Sequence, residues 1–275
     1  MENPLVSVIL PTFNRMSMVE ASVESVMNQN YDNLELIIVN DCSSDGTAEV
    51  LQAFTDSRIK IFHNRQRLGL PASRNKGVLQ SHGALIFFSE DDLTLKIDCI
   101  SRLVDSYRRL SSKKYLVGAV GPRLITIDHH LSKVNLPMKG KHLVEISPIT
   151  GFVKINFDLN TLGPVIVKTL HSCSLIPKAG ILKVGGYETN LYKGSYVCEE
   201  TDFYLRLQKE GYTLFFDPSS VVEHRFGKVG GCILPSRLSQ EYYNIRNHLF
   251  YLTRFYGIFT PFMFPCFLFE KLVLR

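Results

Sequence analysis

The first 92 residues repeat one pattern, in which a short apolar run is followed by an amphipathic stretch. The apolar runs lie at 5–11, 34–41, 59–64 and 84–92, and the amphipathic stretches lie at 17–29, 43–54 and 70–81. Runs that are apolar throughout are typical of parallel strands that helices bury on both faces. The pattern therefore predicts an α/β fold with a mostly parallel central sheet flanked by helices.

A polar segment follows each of the four predicted strands. The segments read PTFNR, NDCSSDG, HNRQRLG and SEDD. In an open parallel sheet, ligands bind beyond the carboxyl ends of the strands. We therefore expect the four segments to line one rim of the sheet and to form a binding site there.

Three acids stand side by side at the end of the fourth run, at Glu90, Asp91 and Asp92. Neighbouring carboxylates repel one another unless a cation offsets their charge. Mg²⁺ and Mn²⁺ prefer oxygen ligands and often share them with phosphates. Alone, the triplet fits a solvated strand end, Asp41 fits a turn former, and Arg74 fits a solvated helix residue. Because all of them are expected at one rim, the set points to a site for a metal ion and a phosphate-bearing ligand.

Two common nucleotide-binding motifs do not occur in the sequence. A dinucleotide-binding dehydrogenase carries G-x-G-x-x-G after its first strand, where this chain reads PTFNRM. The P-loop pattern G-x-x-x-x-G-K-[ST] is found nowhere in the chain. Phosphates would therefore be held by a metal ion and arginine rather than by a glycine-rich loop.

Six segments, in their order and spacing, resemble the family-2 glycosyltransferases with the GT-A fold. They read VSVILPTFNR, LELIIVNDCSSDGT, GLPASRNKG, LIFFSEDD, VGGYE and EETDFYLRL, and they cover about residues 5–225. The resemblance implies a GT-A-like, Rossmann-like sheet, a nucleotide-sugar donor of the UDP type, and Mg²⁺ or Mn²⁺ as cofactor. It also implies a single displacement that inverts the anomeric carbon of the sugar.

The resemblance implies roles for individual residues. The nucleotide-sugar set is Pro11, Thr12, Asn14, Asp41, Arg74, Glu90 and Asp91, the metal set is Asp91, Asp92 and His224, and the catalytic set is Glu200 and Asp202. Asp91 is the expected main metal ligand, and Glu200 is the expected base for the acceptor hydroxyl. Asp202 is expected to orient a sugar or acceptor hydroxyl. The simpler alternatives are an acidic first helical turn at 199–202 and a packing role for His224.

Two positions depart from the family pattern. Ser89 stands where the family has aspartate, which removes one metal or hydrogen-bond contact. Glu200 also replaces an aspartate, so its carboxylate reaches about one bond length further. These departures motivate an alternative, a catalytically weakened nucleotide- or carbohydrate-binding module of the same fold. A nucleotidyltransferase, a third alternative, should carry a glycine-rich basic loop after strand one, and this chain has none there.

The chain is predicted to divide at residue 230. Residues 1–230 form the expected catalytic domain, with about 1–110 for the nucleotide sugar and about 111–230 for the acceptor and the base. Residues 231–275 form a helical tail, in which apolar residues recur at helical spacing and the uncharged run 255–269 is shorter than the about 20 residues of a membrane span. We expect Arg246 and Arg254 to bind an anionic membrane face. Packing on the domain, or on a second copy in a homodimer, is the alternative.

Composition limits the partners and the location. The net charge of +5 is mild and no dense Lys/Arg run occurs, which argues against nucleic acid. The start of the chain lacks the features of a signal peptide, and the six cysteines show no C-x-x-C spacing. We therefore expect a cytoplasmic protein. The tail segment YYNIRNHLFYLTRFYG also resembles the segment that follows the catalytic domain in family members that act on lipid-linked or surface polysaccharide acceptors. Together with the resemblance described above, this implies a protein peripheral on the inner face of the cell membrane, whose partners are a nucleotide sugar and a glycan or lipid-linked acceptor.

Overall fold

A computed structural model describes residues 3–127, 142–225, 230–234 and 236–273. Its strands are β1 Val6–Thr12, β2 Leu34–Asn40, β3 Ile59–His63, β4 Leu85–Phe88, β5 Leu93–Leu95, β6 Val117–Ile127, β7 Val144–Ile146, β8 Val153–Ile155, β9 Val165–Val167, β10 Leu175–Pro177 and β11 Thr213–Arg225. Its helices are α1 Val19–Met27, α2 Thr47–Gln52, α3 Leu70–Gln80, α4 Cys99–Ser112, α5 Lys178–Lys183, α6 Glu199–Lys209, α7 Arg237–Tyr256 and α8 Thr260–Val273.

The central sheet has the strand order β3-β2-β1-β4-β10-β6-β11-β5, and β9 also pairs with β11. The first four strands of this order are parallel, as the sequence predicts, and β6 is parallel to β11. Strands β5, β9 and β10 run antiparallel to their neighbours. The sheet is therefore parallel in its N-terminal half and mixed beyond it.

Alternate residues of the strands enter two apolar cores on opposite faces of the sheet. Val8 and Leu36 pack in the core that α1 and α4 cover, whereas Ile9 and Ile37 pack in the core that α3 and α6 cover. All four side chains are fully buried. Because burying such a side chain contributes about 1.5–3 kcal/mol, the two cores hold the sheet and its rim in place.

The carboxyl ends of the first four strands lie side by side. Thr12 is in register with Asn40, and Asn40 is in register with His63. Just past β4, the backbone N–H of Ser89 donates to the carbonyl of Ile9 at 2.8 Å. The polar segments that follow these strands are thus neighbours at one rim, as the sequence predicts.

Some local predictions are wrong. Ser17 and Glu20 have the spacing of a capping box, which predicts a helix start at Ser17. Helix α1 instead begins at Val19 after Met18, with no capping bond from a side chain. The polar, glycine-containing sequence of residues 221–231 predicts a loop. Strand β11 instead continues to Arg225, so the start of this segment is a strand. Residues 226–229 of that predicted loop lie outside the described residues.

Helices α7 and α8 form an antiparallel hairpin that packs on the sheet domain. Lys271 near the end of α8 contacts Glu241 near the start of α7 at 2.9 Å. The His248 and Phe267 rings stack with centroids 3.7 Å apart. A third apolar core, centred on Tyr192, joins the hairpin to the domain. By length and composition alone, Arg237–Lys271 would suit a membrane span, but here it is folded back on itself.

The two tail arginines are engaged within the chain. Arg246 donates to the carbonyl of Leu191 at 2.7 Å, and Arg254 contacts Glu188 and Asp202, each at 3.1 Å. Both arginines are thus paired with acids or carbonyls of the domain, which argues against their expected use on a membrane face. For α7, the alternative of packing on the domain is the one the structure shows.

Candidate active site

A cleft of about 400 Å³ opens at the predicted rim. The predicted residues that line it are Pro11, Thr12, Asp41, Glu90, Asp91, Asp92 and His224. The predicted residues outside its lining are Asn14, Arg74, Glu200 and Asp202. Segment 231–233 and Gln240 of α7 also contribute to the wall, so the hairpin and the domain share the cleft.

Asp41 fixes the loop between β3 and α3. One carboxylate oxygen accepts from the Asn64 side chain at 2.7 Å and from the Leu68 N–H at 2.8 Å, and the other accepts from the Gly69 N–H at 2.8 Å. An ionised carboxylate offers about four acceptor positions. Asp41 therefore supports the loop and retains capacity for a donor that enters the cleft.

Asn14 joins two rim segments rather than entering the cleft. Its side-chain oxygen accepts from the Ser44 N–H at 2.8 Å, and its own N–H donates to Ser43 Oγ at 2.9 Å. Its backbone is left-handed, with φ 51°, a conformation that asparagine tolerates better than most residues. Asn14 thus holds the turn after β1 against the turn after β2.

Arg74 is fully buried and serves as the counter-charge for three glutamates. Its guanidinium contacts Glu199 closely, Glu90 at 2.8 Å and Glu200 at 3.5 Å. It does not reach the cleft, so the structure does not support the predicted nucleotide contact. The physical reason is that carboxylates on α6 and beyond β4 surround the guanidinium, and a buried charge needs such partners.

The two glutamates that begin α6 differ in exposure. The side chain of Glu199 is 3% exposed, whereas that of Glu200 is 33% exposed. Glu200 and Glu90 contact the same nitrogen of Arg74, which places Glu200 beside an acid of the cleft. Desolvation and the neighbouring Glu90 raise the pKa of Glu200, although Arg74 opposes them. A raised pKa suits a carboxylate that accepts a proton near neutral pH.

Asp202 lies on a different side of α6 from Glu200. Its oxygens are buried and accept from Arg206 at 2.6 Å and from the Tyr192 hydroxyl at 3.0 Å, and Arg254 also contacts it. Two residues along a helix turn the side chain by about 200°. Asp202 therefore joins α6 to α7, and its contacts do not support the predicted role towards a sugar.

Glu90, Asp92 and His224 form a group whose possible ligand atoms lie within 4.8 Å of one another. Asp92 Oδ1 is buried and has no hydrogen-bond partner among the described residues. An unpaired buried carboxylate oxygen is costly unless a cation or donor satisfies it. These residues therefore fit a divalent ion bound through two carboxylates and an imidazole.

Asp91, the expected main ligand, is engaged differently. Its oxygens face the Phe13 N–H at 3.3 Å and Arg15 Nε at 3.4 Å. Burial, with the charge of Asp92, raises the pKa of Asp91 to about 7. The geometry thus favours Asp92 over Asp91 as the acid that meets a metal ion, and it leaves Asp91 tied to the turn after β1.

Several cleft residues were not singled out in the sequence. Arg15 and Arg67 lie in rim segments already predicted from the strand pattern, so position alone could have suggested them. Arg67 covers the Phe13 ring, with its guanidinium carbon 3.9 Å from the ring centroid. Tyr196, in contrast, comes from a distant loop and had no local signal.

Known glycosyltransferases match parts of this chain in sequence. The model of the family described as glycosyl transferase family 2 matches residues 7–120. The "GalNAc(5)-diNAcBac-PP-undecaprenol beta-1,3-glucosyltransferase" of Campylobacter jejuni subsp. jejuni serotype O:2 is 30% identical over 215 residues, 77% of this chain and 65% of that protein. The "UDP-Glc:alpha-D-GlcNAc-diphosphoundecaprenol beta-1,3-glucosyltransferase WfgD" of Escherichia coli is 30% identical over 148 residues, 50% of this chain and 58% of that protein. The chain thus spans less than two thirds of either relative.

Solved structures share the fold. The mannosyltransferase PcManGT of Pyrobaculum calidifontis, in complex with GDP-Man and Mn²⁺, superposes with a TM-score of 0.63 at 16% identity, over 98% of this chain and 71% of that chain. Residues 1–349 of TarS from S. aureus, in complex with UDP-GlcNAc, superpose with a TM-score of 0.63 at 14% identity, over 98% of this chain and 73% of that chain. The predicted GT-A-like fold is confirmed.

Proposed function

We propose that this chain, which matches the family-2 glycosyltransferase model over residues 7–120, is a member of that family and transfers a sugar from a nucleotide-sugar donor to a hydroxyl group of an acceptor glycan. The observation that carries the proposal is the meeting of Asp41, the acid triplet and His224 in one cleft, with Glu200 beside it. A UDP-linked donor is supported by the name of the Escherichia coli relative and by the UDP-GlcNAc complex of the S. aureus neighbour.

The donor would lie across the rim. Asp41, Pro11 and Thr12 would face the base and ribose, and the diphosphate would lie towards the acids that follow β4. Asp92, Glu90 and His224 would hold Mg²⁺ or Mn²⁺, in keeping with the Mn²⁺ complex of the Pyrobaculum calidifontis neighbour. Bound there, the ion would offset the negative charge that develops on the leaving diphosphate.

Glu200 would act as the base in a single displacement. It takes the proton of the acceptor hydroxyl while the acceptor oxygen bonds to the anomeric carbon, and the bond from that carbon to the diphosphate oxygen breaks. The nucleoside diphosphate leaves with the electron pair, so the configuration at the carbon inverts. A positioned base of this kind contributes about 10²–10⁴-fold in rate. Arg74 positions Glu200 and keeps its charge compensated.

The acceptor would be lipid-linked or part of a surface glycan. Both relatives described above are named for acceptors that carry undecaprenol. The outer side of the hairpin exposes Ile258, Phe259, Phe262 and Phe269, and an apolar helical edge of this kind can lie in a membrane surface. We therefore place the protein in the cytoplasm, peripheral on the inner face of the cell membrane, with this edge rather than Arg246 and Arg254 as the contact. Pairing of two copies through the same edge is the alternative.

We keep the division of the chain that the sequence predicts as part of this proposal. Residues of about 1–110 would bind the nucleotide sugar, and about 111–230 would bind the acceptor and supply the base. The tail would add membrane contact, together with Gln240 and segment 231–233 in the wall of the cleft.

The test begins with a thermal-stabilisation screen of nucleotide sugars, with and without Mn²⁺. The donor that stabilises the protein is then assayed for transfer to undecaprenyl-diphosphate-linked glycans. Glu200→Gln should retain donor binding and lose at least about 100-fold in turnover. Glu210→Gln is the matched control, because Glu210 is exposed and lies just past the other end of the same helix.

Each outcome separates the alternatives. Stabilisation by no nucleotide sugar would contradict the proposed function. Donor binding without turnover by the unchanged protein would support the weakened binding module. Normal turnover by Glu200→Gln would show that another group takes the proton.

A further inference from the structure

Arg15 contacts two acids of the triplet, Asp91 and Asp92, and neither the sequence motifs nor the proposed reaction gives it a role. It follows β1, and its N–H donates to Thr47 Oγ1 at 3.0 Å, which fixes its backbone at the rim. Its side chain is 6% exposed and lines the cleft. Its guanidinium lies 3.4 Å from Asp91 and 3.2 Å from Asp92.

The contacts of Arg15 leave hydrogen-bonding capacity towards the cleft. Charge-assisted N–H···O bonds are about 2.7–2.9 Å long, and both carboxylate contacts of Arg15 are longer. A third nitrogen faces Met18 Sδ at 3.5 Å, and a thioether is a weak acceptor. Arg74, in contrast, lies outside the cleft lining and holds Glu90 at 2.8 Å. Of these two buried arginines, Arg15 is the one that an anion in the cleft can meet.

Arg15 also shares a ligand with the candidate metal group. The same oxygen of Asp92 lies 3.2 Å from Arg15 and 3.6 Å from His224. A divalent ion on Asp92 would therefore lie close to the guanidinium charge, and two cations at such a distance repel each other. A diphosphate bound between the metal ion and the guanidinium would attract both cations and remove the free-energy cost of their repulsion.

We propose, on the basis of the proposed function, that Arg15 is a second cation of the donor site that binds the diphosphate directly. The same residue opposes metal binding when the diphosphate is missing. Arg15 thereby makes the metal ion and the nucleoside diphosphate bind cooperatively, since each relieves a cost that the other would otherwise meet. Asp91 and Asp92 hold the guanidinium in place for this purpose.

The test measures binding rather than turnover. Mn²⁺ affinity is measured from the electron paramagnetic resonance signal of the free ion, without nucleotide, and UDP affinity is measured by calorimetry at saturating Mn²⁺. Arg15→Met should bind Mn²⁺ alone more tightly than the unchanged protein does. It should bind UDP roughly 10- to 100-fold more weakly, the range expected for loss of a charged hydrogen bond.

Two further variants complete the design. Arg15→Lys keeps the charge without the planar fork and should lie between the unchanged protein and Arg15→Met in both measurements. Arg102→Met, which removes an exposed arginine paired with Asp98 on α4, should change neither. Circular dichroism confirms that each variant is folded before binding is measured.

Opposite changes in the two affinities are the signature of the proposal, because general damage to the site would weaken both. A folded Arg15→Met that weakens Mn²⁺ and UDP together, or that leaves UDP binding unchanged, would overturn this inference alone. Failure of the unchanged protein to bind UDP or any UDP-sugar would overturn the proposed donor and this inference with it.

Discussion

Replacing Arg74 with methionine should be among the most damaging single changes to stability in this chain. The substitution keeps an apolar side chain in the site and removes the positive charge that Glu199, Glu90 and Glu200 share. Glu199 is the critical partner, because it is 3% exposed and water cannot replace the guanidinium. Glu90 and Glu200, at 27% and 33% exposed, can be partly hydrated.

The expected loss follows from this difference in exposure. Removing one partner of a buried ion pair costs about 3–5 kcal/mol, and Glu199 alone accounts for that range, whereas the two exposed acids add little because water screens them. A loss of this size is a large share of the about 5–15 kcal/mol that stabilises a typical protein. Urea unfolding followed by circular dichroism measures it.

The loss should also depend on pH. Burial raises the pKa of Glu199 above its usual value even when Arg74 opposes that effect, so without Arg74 the pKa of Glu199 rises further. A group whose pKa is raised by folding stabilises the protein below its unfolded value and loses that contribution as the pH rises. Arg74→Met should therefore lie closest to the unchanged protein near about pH 5 and furthest from it above neutrality.

Two control variants test whether the lost stability comes from the charge on Arg74. The double variant with Arg74→Met and Glu199→Gln should recover part of the lost stability, because the neutral amide no longer needs a cation. Arg102→Met, on the exposed face of α4, should change stability by less than about 0.5 kcal/mol. A loss below about 1 kcal/mol for Arg74→Met, or no recovery in the double variant, would show that the guanidinium does not compensate a buried carboxylate.

Three further changes test other parts of the structure. Burial would raise the pKa of Glu35, but hydrogen bonds from Lys60 and two other donors outweigh it and lower this pKa to about 2. Glu35→Gln should therefore lower the free energy of unfolding in urea by about 2–3 kcal/mol at neutral pH. The difference should disappear as the pH falls from about 4.5 towards 2. Gly69 has φ 92° and ψ 163°, a region nearly confined to glycine, so Gly69→Ala should lower stability by about 1–3 kcal/mol in the same assay and weaken donor binding. Changing Phe262 and Phe269 to serine should reduce co-sedimentation with anionic lipid vesicles while donor binding is unchanged, and equal sedimentation would exclude the apolar edge as the membrane contact.

The parts of the fold that sequence predicts well are those set by local pattern. The continuous apolar runs of β1 and β2 are typical of buried parallel strands. Because parallel strands run in the same direction, their carboxyl ends form one rim of the sheet. Strand β6 gave no such signal because Gly118, Gly121 and Pro122 interrupt it. Gly121 is there for packing, since a Cβ would lie 2.6 Å from the Leu170 side chain, and that neighbour is invisible in a local window.

The candidate site likewise contains some residues whose position the sequence predicts and others whose position it does not. Asp41 directly follows β2, and Asp92 lies four residues beyond the end of β4. Both reach the cleft because the ends of these two strands lie at the same rim. The neighbours of Arg74 include Glu199, 125 positions further along the chain, so its burial and its partners could not be read from the motif around it. The position of Asp202 could have been predicted, because the geometry of a helix places it on a different side from Glu200. The role implied by the family resemblance was assigned to it instead.

The Arg74 guanidinium contacts acids from parts of the chain that are synthesised at different times. The segment matching the family model ends at residue 120, yet the acid that fits most closely against that arginine belongs to α6. During synthesis, Glu90 is therefore the first of the three acids available to Arg74, and Glu199 and Glu200 join it when the later helix docks. Glu199 and Glu200 take their places in the same step, so a chain interrupted before α6 would lack both the proposed base and two of the three acids that compensate Arg74.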